Sequence, residues 1–246
     1  MPDSLLTPPK PLVVAPENKD PKQLFALFHG ESAEPRQLLE LAGALRQAFP
    51  AAAIVLPYGS FRSGGQAYRW TERADPDPAA RIDRVAQAAS VLAGLVRQLQ
   101  QHYGVTGQHT ALAGFSEGAA VMLEACASQF DLAGRALLFS GRYARLPPAA
   151  PPATTLHFLH GADDDVAPVG QIGQVHARLA ELHGDATFDI ASSVGHEMHP
   201  ALIAQAILRL QTCVPLRSWE MALDELQQRD AGAAELPPAA GNRTLH

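Results

Sequence analysis

A serine between two glycines is the residue of this sequence best placed to do chemistry. Residues 111–113 are apolar, Gly114-Phe115-Ser116-Glu117-Gly118 follows this run, and helix-forming residues come next. This order is typical of a sharp strand-to-helix turn that carries a nucleophile at its tip, where small neighbours relieve crowding. The short pattern also occurs in ordinary turns, so the hypothesis of a nucleophile depends on suitable partners elsewhere in the chain.

A serine nucleophile needs a base that takes its proton and a carboxylate that orients the base. His196 follows a predicted strand and a glycine, whereas His199 lies beside Pro200 at a helix start and is the weaker choice. Three consecutive aspartates, Asp163-Asp164-Asp165, follow an earlier strand. The chain order is therefore serine, acid, histidine, as in doubly wound hydrolases, with the choice among the three aspartates open.

The other histidines do not favour a metal site. His29 and His160 each precede a glycine at a strand end, and we expect them to bind loop backbone. His157 and His160 point to opposite faces of one strand, so they would not share a metal ion. Pro200 occupies the position that a second histidine of a His-Glu-x-x-His motif would need. The sequence predicts neither a metal nor a cofactor.

The composition limits the class of protein further. The chain has 246 residues, 47% of them hydrophobic and 18% charged, and a formal net charge of -6. These values are typical of a globular protein with a sizeable core, and they argue against nucleic-acid binding. The first residues lack a cationic and an apolar signal region, and no apolar run would span a bilayer. We therefore expect a cytoplasmic enzyme.

Strands alternate with helices along the sequence. Apolar runs predict strands over residues 12–15, 23–28, 52–56, 110–113, 135–141, 154–159 and 186–190. Helical spacing predicts helices over residues 37–49, 82–103, 169–182 and 200–212, and from the serine turn to about residue 129. The alternation predicts a three-layer α/β sandwich, a mostly parallel doubly wound sheet with helices on both faces.

The predicted domain covers residues 11–229. Residues 1–10 are expected to be loose and residues 230–246 to be disordered. An amphipathic helix over residues 216–228 either docks on the domain or forms the contact of a homodimer. The long loop at residues 58–80 carries Arg69 and Trp70, and a loop of this length is usually functional.

Several motifs in order resemble one family. They are Phe28-His29-Gly30, Arg69-Trp70, the segment around Ser116, Phe139-Ser140-Gly141-Arg142-Tyr143-Ala144, His160-Gly161-x-x-Asp164-x-Val166 and Gly195-His196. Together, from about Leu12 to the helix after His196, they resemble the carboxylesterase/phospholipase family that includes acyl-protein thioesterases. That family has the α/β-hydrolase fold. The Gly-Arg-Tyr-Ala stretch and the Arg-Trp loop are most similar to its bacterial YpfH-type esterase branch.

The resemblance implies roles for particular residues. It makes Asp164 the acid, and it implies an oxyanion hole from the backbone N–H groups of Glu31 and Glu117. The family usually has glutamine at the position of Glu117 and an apolar, Gly-rich loop at Glu31. The two acids suggest a preference for neutral or cationic esters. Arg69 and Trp70 border the acyl pocket or hold the loop, with neither alternative favoured.

The predicted function is that of a serine hydrolase which cleaves small carboxylic esters through an acyl-enzyme, with Ser116, His196 and Asp164 as a catalytic triad. Thioesters and lysophospholipids are further candidate substrates. The alternatives are a non-catalytic binding protein of the same fold and an acyltransferase that uses the same triad.

Overall fold

The computed structural model describes residues 9–14, 16, 20–72, 77–215, 218, 221 and 223. Its contacts divide the chain into two units, Met1–Cys213 and Val214–His246. Within the helix predicted over residues 216–228, only Ser218, Met221 and Leu223 are described, and all three are helical. Most of the predicted loose segment at residues 1–10 and all of the predicted tail at residues 230–246 lie outside the described residues.

A seven-stranded sheet forms the centre of the first unit. Its strands are β1 (Leu12–Val14), β2 (Gln23–Phe28), β3 (Ala52–Leu56), β6 (Thr110–Phe115), β7 (Arg135–Phe139), β8 (Thr155–Gly161) and β9 (Ala186–Ala191). Two further strands, β4 (Phe61–Arg62) and β5 (Tyr68–Arg69), form a separate two-stranded sheet. The sheet order is β1-β3-β2-β6-β7-β8-β9; β1 is antiparallel to β3 and the other pairings are parallel. The predicted mostly parallel sheet is confirmed.

Helices cover both faces of this sheet, as predicted. They are α1 (Leu39–Ala48), α2 (Pro78–Tyr103), α3 (Glu117–Ser128), α4 (Val169–Glu181) and α5 (Pro200–Thr212). Because side chains alternate along a strand, Ala26 and Phe28 of β2 join the core formed with α2, α3 and α4. Phe25 and Leu27 join the core formed with α1 and α5. After their first residues, β2, β6 and β7 are apolar because both faces of the sheet are covered there.

The segment predicted as one loop, residues 58–80, differs from the prediction. β4 and β5 form a small antiparallel hairpin inside it, with Gly64 and Gly65 at positive φ in the connection. The loop also ends earlier, because α2 begins at Pro78 and the Asp77 side chain caps it by accepting a hydrogen bond from the Ala79 N–H. Strands of two residues carry no periodic pattern, so the sequence could not indicate this hairpin.

Two strand ends near the candidate site also differ from the prediction. β6 continues to Phe115, so the strand reaches the residue before the serine. β7 stops at Phe139, before the predicted end at residue 141, because Ser140 has a φ of 49° and leaves the extended conformation. In the part of the chain that the structure describes, no helix has the length and apolar character needed to cross a membrane.

Candidate active site

Ser116 lies in a strained turn between β6 and α3. Its φ is 51° and its ψ is -112°, values that a residue with a side chain adopts only where the surrounding structure enforces them. A Cβ on Gly118 would collide with the carbonyl oxygens of Phe28 and His29, and a Cβ on Gly114 would lie 2.6 Å from the Ala119 nitrogen. The flanking glycines thus allow the close approach that places the serine at the first turn of α3.

His196 joins Ser116 to Asp164 in a chain of hydrogen bonds. Its Nε2 lies 3.0 Å from the Ser116 Oγ, and its Nδ1 lies 2.9 Å from Asp164 Oδ2 and 3.0 Å from Oδ1. The imidazole ring also contacts the Phe115 ring, with centroids 4.8 Å apart. The three residues follow the carboxyl ends of β6, β8 and β9, so the parallel sheet brings them together although they are far apart in sequence. This geometry suits proton transfer from the hydroxyl to the imidazole.

Asp164 is the member of the aspartate triplet that faces His196. Asp163 and Asp165 are exposed, whereas Asp164 is buried and its Oδ1 accepts hydrogen bonds from Val166 N at 3.0 Å and Ala167 N at 2.7 Å. Burial alone would raise the pKa of the Asp164 carboxyl. The hydrogen bonds from Ala167 and His196 outweigh burial and hold the pKa below its usual value. Asp164 is therefore ionised when it faces the imidazole.

A cavity of about 260 Å³ opens in front of Ser116. Glu31, Glu117, Thr71 and Ser140 contribute to its lining. Among the described residues, the backbone N–H groups of Glu31 and Glu117 have no hydrogen-bond acceptor. Both residues with a predicted oxyanion-hole N–H therefore border the same cavity as the serine hydroxyl.

The Glu117 carboxylate is bound to the loop after β5. Its Oε2 accepts a hydrogen bond from Trp70 N at 2.9 Å, and its Oε1 accepts bonds from Thr71 N at 3.2 Å and the Thr71 hydroxyl at 2.5 Å. Burial raises the pKa of Glu117, the bonds from Thr71 and Trp70 oppose the rise, and the nearby Glu31 adds to it. The acid next to the nucleophile thus connects α3 to the loop.

Arg69 and Trp70 are not among the described residues that line the cavity. Arg69 pairs with Phe61 in the hairpin. The Trp70 ring is buried, donates its Nε1–H to the His29 carbonyl at 2.8 Å, and lies edge-to-face on Phe28 with centroids 5.3 Å apart. Trp70 therefore holds the end of the hairpin against β2, and Arg69 forms part of the hairpin itself.

The buried histidines at the other strand ends bind loop backbone. His29 accepts a hydrogen bond from Gly59 N at Nε2, 2.9 Å away, and its Nδ1 lies 2.8 Å from the Gly30 carbonyl. Burial lowers the pKa of His29 to about 4, so the ring is neutral and donates from Nδ1. His160 Nε2 lies 2.5 Å from the Ala167 carbonyl. In the described residues, no group of three or more His, Cys, Asp or Glu side chains has the arrangement of a metal site.

Three arginines in the same cavity lining were missed by the sequence reasoning. Arg81 and Arg84 come from the first turns of α2, and Arg142 follows β7. A spacing of three residues puts Arg81 and Arg84 on one side of the helix. Arg142 belongs to the Gly-Arg-Tyr-Ala stretch that carries the resemblance. Arg81 and Arg84, which directly follow the long predicted loop, could therefore have indicated a positively charged site.

The parallel sheet, with a strained serine after β6, an acid after β8 and a histidine after β9, defines an α/β-hydrolase fold. The model of the Phospholipase/Carboxylesterase family matches residues 9–214, and the chain belongs to that family. It is 32% identical over 225 residues to Esterase YpfH of Escherichia coli (strain K12). The aligned residues cover 91% of this chain and 97% of that esterase.

Solved structures share this fold over most of their length. Esterase PE8 matches with a TM-score of 0.74 and 25% identity, over 83% of this chain and 99% of that one. A carboxylesterase from Mesorhizobium loti matches with a TM-score of 0.69 and 18% identity, over 86% of this chain and all of that one. The resemblance read from the sequence motifs is confirmed.

Proposed function

We propose that this protein hydrolyses carboxylic esters through an acyl-enzyme formed on Ser116. The observation that carries the proposal is the continuous chain of hydrogen bonds from the Ser116 hydroxyl through His196 to the buried Asp164 carboxylate. The protein's membership of the Phospholipase/Carboxylesterase family and its similarity to Esterase YpfH of Escherichia coli support the same class of reaction, ester hydrolysis.

In the first half of the reaction, Ser116 Oγ attacks the ester carbonyl while His196 Nε2 takes the hydroxyl proton. The Asp164 carboxylate stabilises the imidazolium and keeps the correct tautomer, because it accepts the proton of Nδ1. Negative charge develops on the former carbonyl oxygen, and the N–H groups of Glu31 and Glu117 are the donors for it. Collapse of the tetrahedral intermediate breaks the ester bond, and His196 returns its proton to the departing alcohol.

In the second half, water replaces the alcohol. His196 takes a proton from the water as its oxygen attacks the acyl carbonyl, and a second tetrahedral intermediate forms. The Ser116 oxygen then leaves and recovers a proton from the imidazolium. The products are the free acid and the unchanged enzyme, so the cycle uses no cofactor.

The test combines a covalent probe with a substrate series. A fluorophosphonate should label the wild-type protein and Ser90→Ala, a variant of an exposed serine on α2, but not Ser116→Ala. Hydrolysis of p-nitrophenyl esters of graded chain length, with one matched thioester, should fall about a thousandfold or more in Ser116→Ala. Undiminished hydrolysis in a purified Ser116→Ala preparation would overturn the mechanism.

A further inference from the structure

More positive than negative side chains line the cavity in front of Ser116. Arg81, Arg84 and Arg142 line it together with the two acids Glu31 and Glu117, so its formal charge is positive, three against two. The whole chain has the opposite balance, with 19 Lys and Arg residues against 25 Asp and Glu residues. The balance of charge in the cavity that borders the nucleophile is therefore opposite to that of the whole chain.

The arginines also lie close enough to affect one another. Burial lowers the pKa of Arg81, the charge of Arg142 lowers it further, and Glu117 and Glu31 act in the opposite direction. Among the described residues, no ion pair joins Arg81 or Arg142 to a carboxylate. Half-buried cations that repel one another destabilise a fold unless an anion offsets the repulsion, and such clusters are a mark of functional sites.

The two glutamates offset only part of this positive charge. The Glu117 carboxylate faces the Trp70 and Thr71 N–H groups and the Thr71 hydroxyl, and among the described residues no ion pair joins it to an arginine. Glu31 is exposed, so water screens its charge. The expectation drawn from these two acids alone, a preference for neutral or cationic esters, leaves out the three arginines.

We propose that the preferred substrate is a short ester that carries one carboxylate, and that Arg81 and Arg142, with Arg84 beside them, bind this carboxylate while Ser116 attacks the ester. A guanidinium matches a carboxylate with two parallel hydrogen bonds, which fixes the orientation of a small substrate. The cavity of about 260 Å³ suits a short chain. This inference rests on the proposed function, since it names the substrate class of the same site.

The test compares three aliphatic esters of similar size by a pH-stat assay. Monomethyl glutarate has its carboxylate on the acyl side, the butyrate ester of glycolic acid has it on the alcohol side, and methyl pentanoate is neutral. At low salt, one of the two anionic esters should have a kcat/KM about tenfold or more above that of methyl pentanoate. The better of the two shows on which side of the ester the arginines lie.

Substitution of the arginines separates binding from general charge effects. Arg81→Met and Arg142→Met should each lower, about tenfold, the ratio of kcat/KM for the better anionic ester to kcat/KM for methyl pentanoate. Arg97→Met is the matched control, because Arg97 lies on the same helix but is paired with Asp131. It should leave the ratio of the two esters unchanged.

The outcomes distinguish the two proposals. If no ester is hydrolysed in a Ser116-dependent way, the proposed function fails. If methyl pentanoate is hydrolysed and neither anionic ester is preferred, or if Arg97→Met changes the ratio as much as Arg81→Met does, only the inference about the carboxylate is overturned.

Discussion

The Glu117 side chain is hydrogen-bonded to Thr71 twice, with its Oε1 2.5 Å from the Thr71 hydroxyl and 3.2 Å from the Thr71 nitrogen. These residues are 46 positions apart in sequence. The contact ties the loop that follows the hairpin to the first turn of α3, next to the strained backbone of Ser116. The Glu117 carboxylate thus supplies acceptors to two neighbouring backbone N–H groups, those of Trp70 and Thr71.

Removing this carboxylate should weaken the fold around the site. We expect Glu117→Ala to lower the free energy of unfolding by about 1–3 kcal/mol, because the Trp70 and Thr71 N–H groups lose their acceptor. Thr71→Val keeps the backbone N–H and removes only the hydroxyl, so its cost should be about 1 kcal/mol. Urea denaturation measures both. The double variant should cost less than the sum of the single variants, and strict additivity would contradict a direct contact.

The sheet and the order of the site residues could be predicted from the sequence. Runs such as residues 23–28 and 52–56 are apolar because both faces of a parallel strand are buried, so composition alone indicates them. The turn at Ser116 was indicated by glycines that the close approach of α3 to β2 requires. These features depend on residues near one another in the chain, which is why a single sequence reveals them.

The features that the sequence did not reveal depend on tertiary contacts. From the sequence, Glu117 suggests only a preference for neutral or cationic esters, whereas in the structure its carboxylate accepts hydrogen bonds from a loop whose path no local pattern specifies. The same holds for Arg81 and Arg142, which line one cavity although they come from α2 and from the segment after β7. A charge count along the chain cannot show which charges share a cavity.

The aspartate triplet offers a matched test of the proposed acid. Asp164→Asn should lower kcat about 10³–10⁴-fold, because the amide no longer stabilises the imidazolium or selects the tautomer with a proton on Nδ1. Asp163→Asn and Asp165→Asn change exposed side chains of the same segment and should leave kcat within about twofold of wild type. Ester hydrolysis at saturating substrate is the measurement. A large loss in either neighbour with a small loss in Asp164→Asn would assign the acid elsewhere.

The packing at the nucleophile turn predicts opposite effects for two glycine substitutions. In Gly118→Ala the new methyl group would collide with the Phe28 and His29 carbonyls, so we expect a loss of about 2 kcal/mol or more, or a failure to fold. Gly94, in the middle of α2, has open space where a Cβ would stand, and Gly94→Ala should stabilise the protein by about 0.5–1 kcal/mol. Thermal and urea denaturation of both variants check the contrast, and equal effects would contradict it.

Acid should destabilise the protein through its buried histidines before the carboxylates titrate. Burial, with the nearby charge of Arg135, lowers the pKa of His157 to about 4, whereas an unfolded chain has a histidine pKa of about 6.5. As the pH falls below about 6.5, His157 binds a proton in the unfolded chain but stays neutral in the native protein. The free energy of unfolding therefore decreases until about pH 4, where the native imidazole is also protonated. Between pH 7 and pH 5 the loss from His157 should be about 2 kcal/mol.

A neutral residue at this position removes that proton uptake. His157→Gln should lose about 2 kcal/mol less than wild type between pH 7 and pH 5, whatever its stability at pH 7, because the remaining titrating groups are common to both proteins. His102→Gln, a change at an exposed position near the end of α2, should reproduce the wild-type difference. Urea denaturation at the two pH values supplies the comparison. If the free energies of His157→Gln and wild type fall in parallel, the imidazole of His157 is protonated in the folded protein as readily as in the unfolded chain.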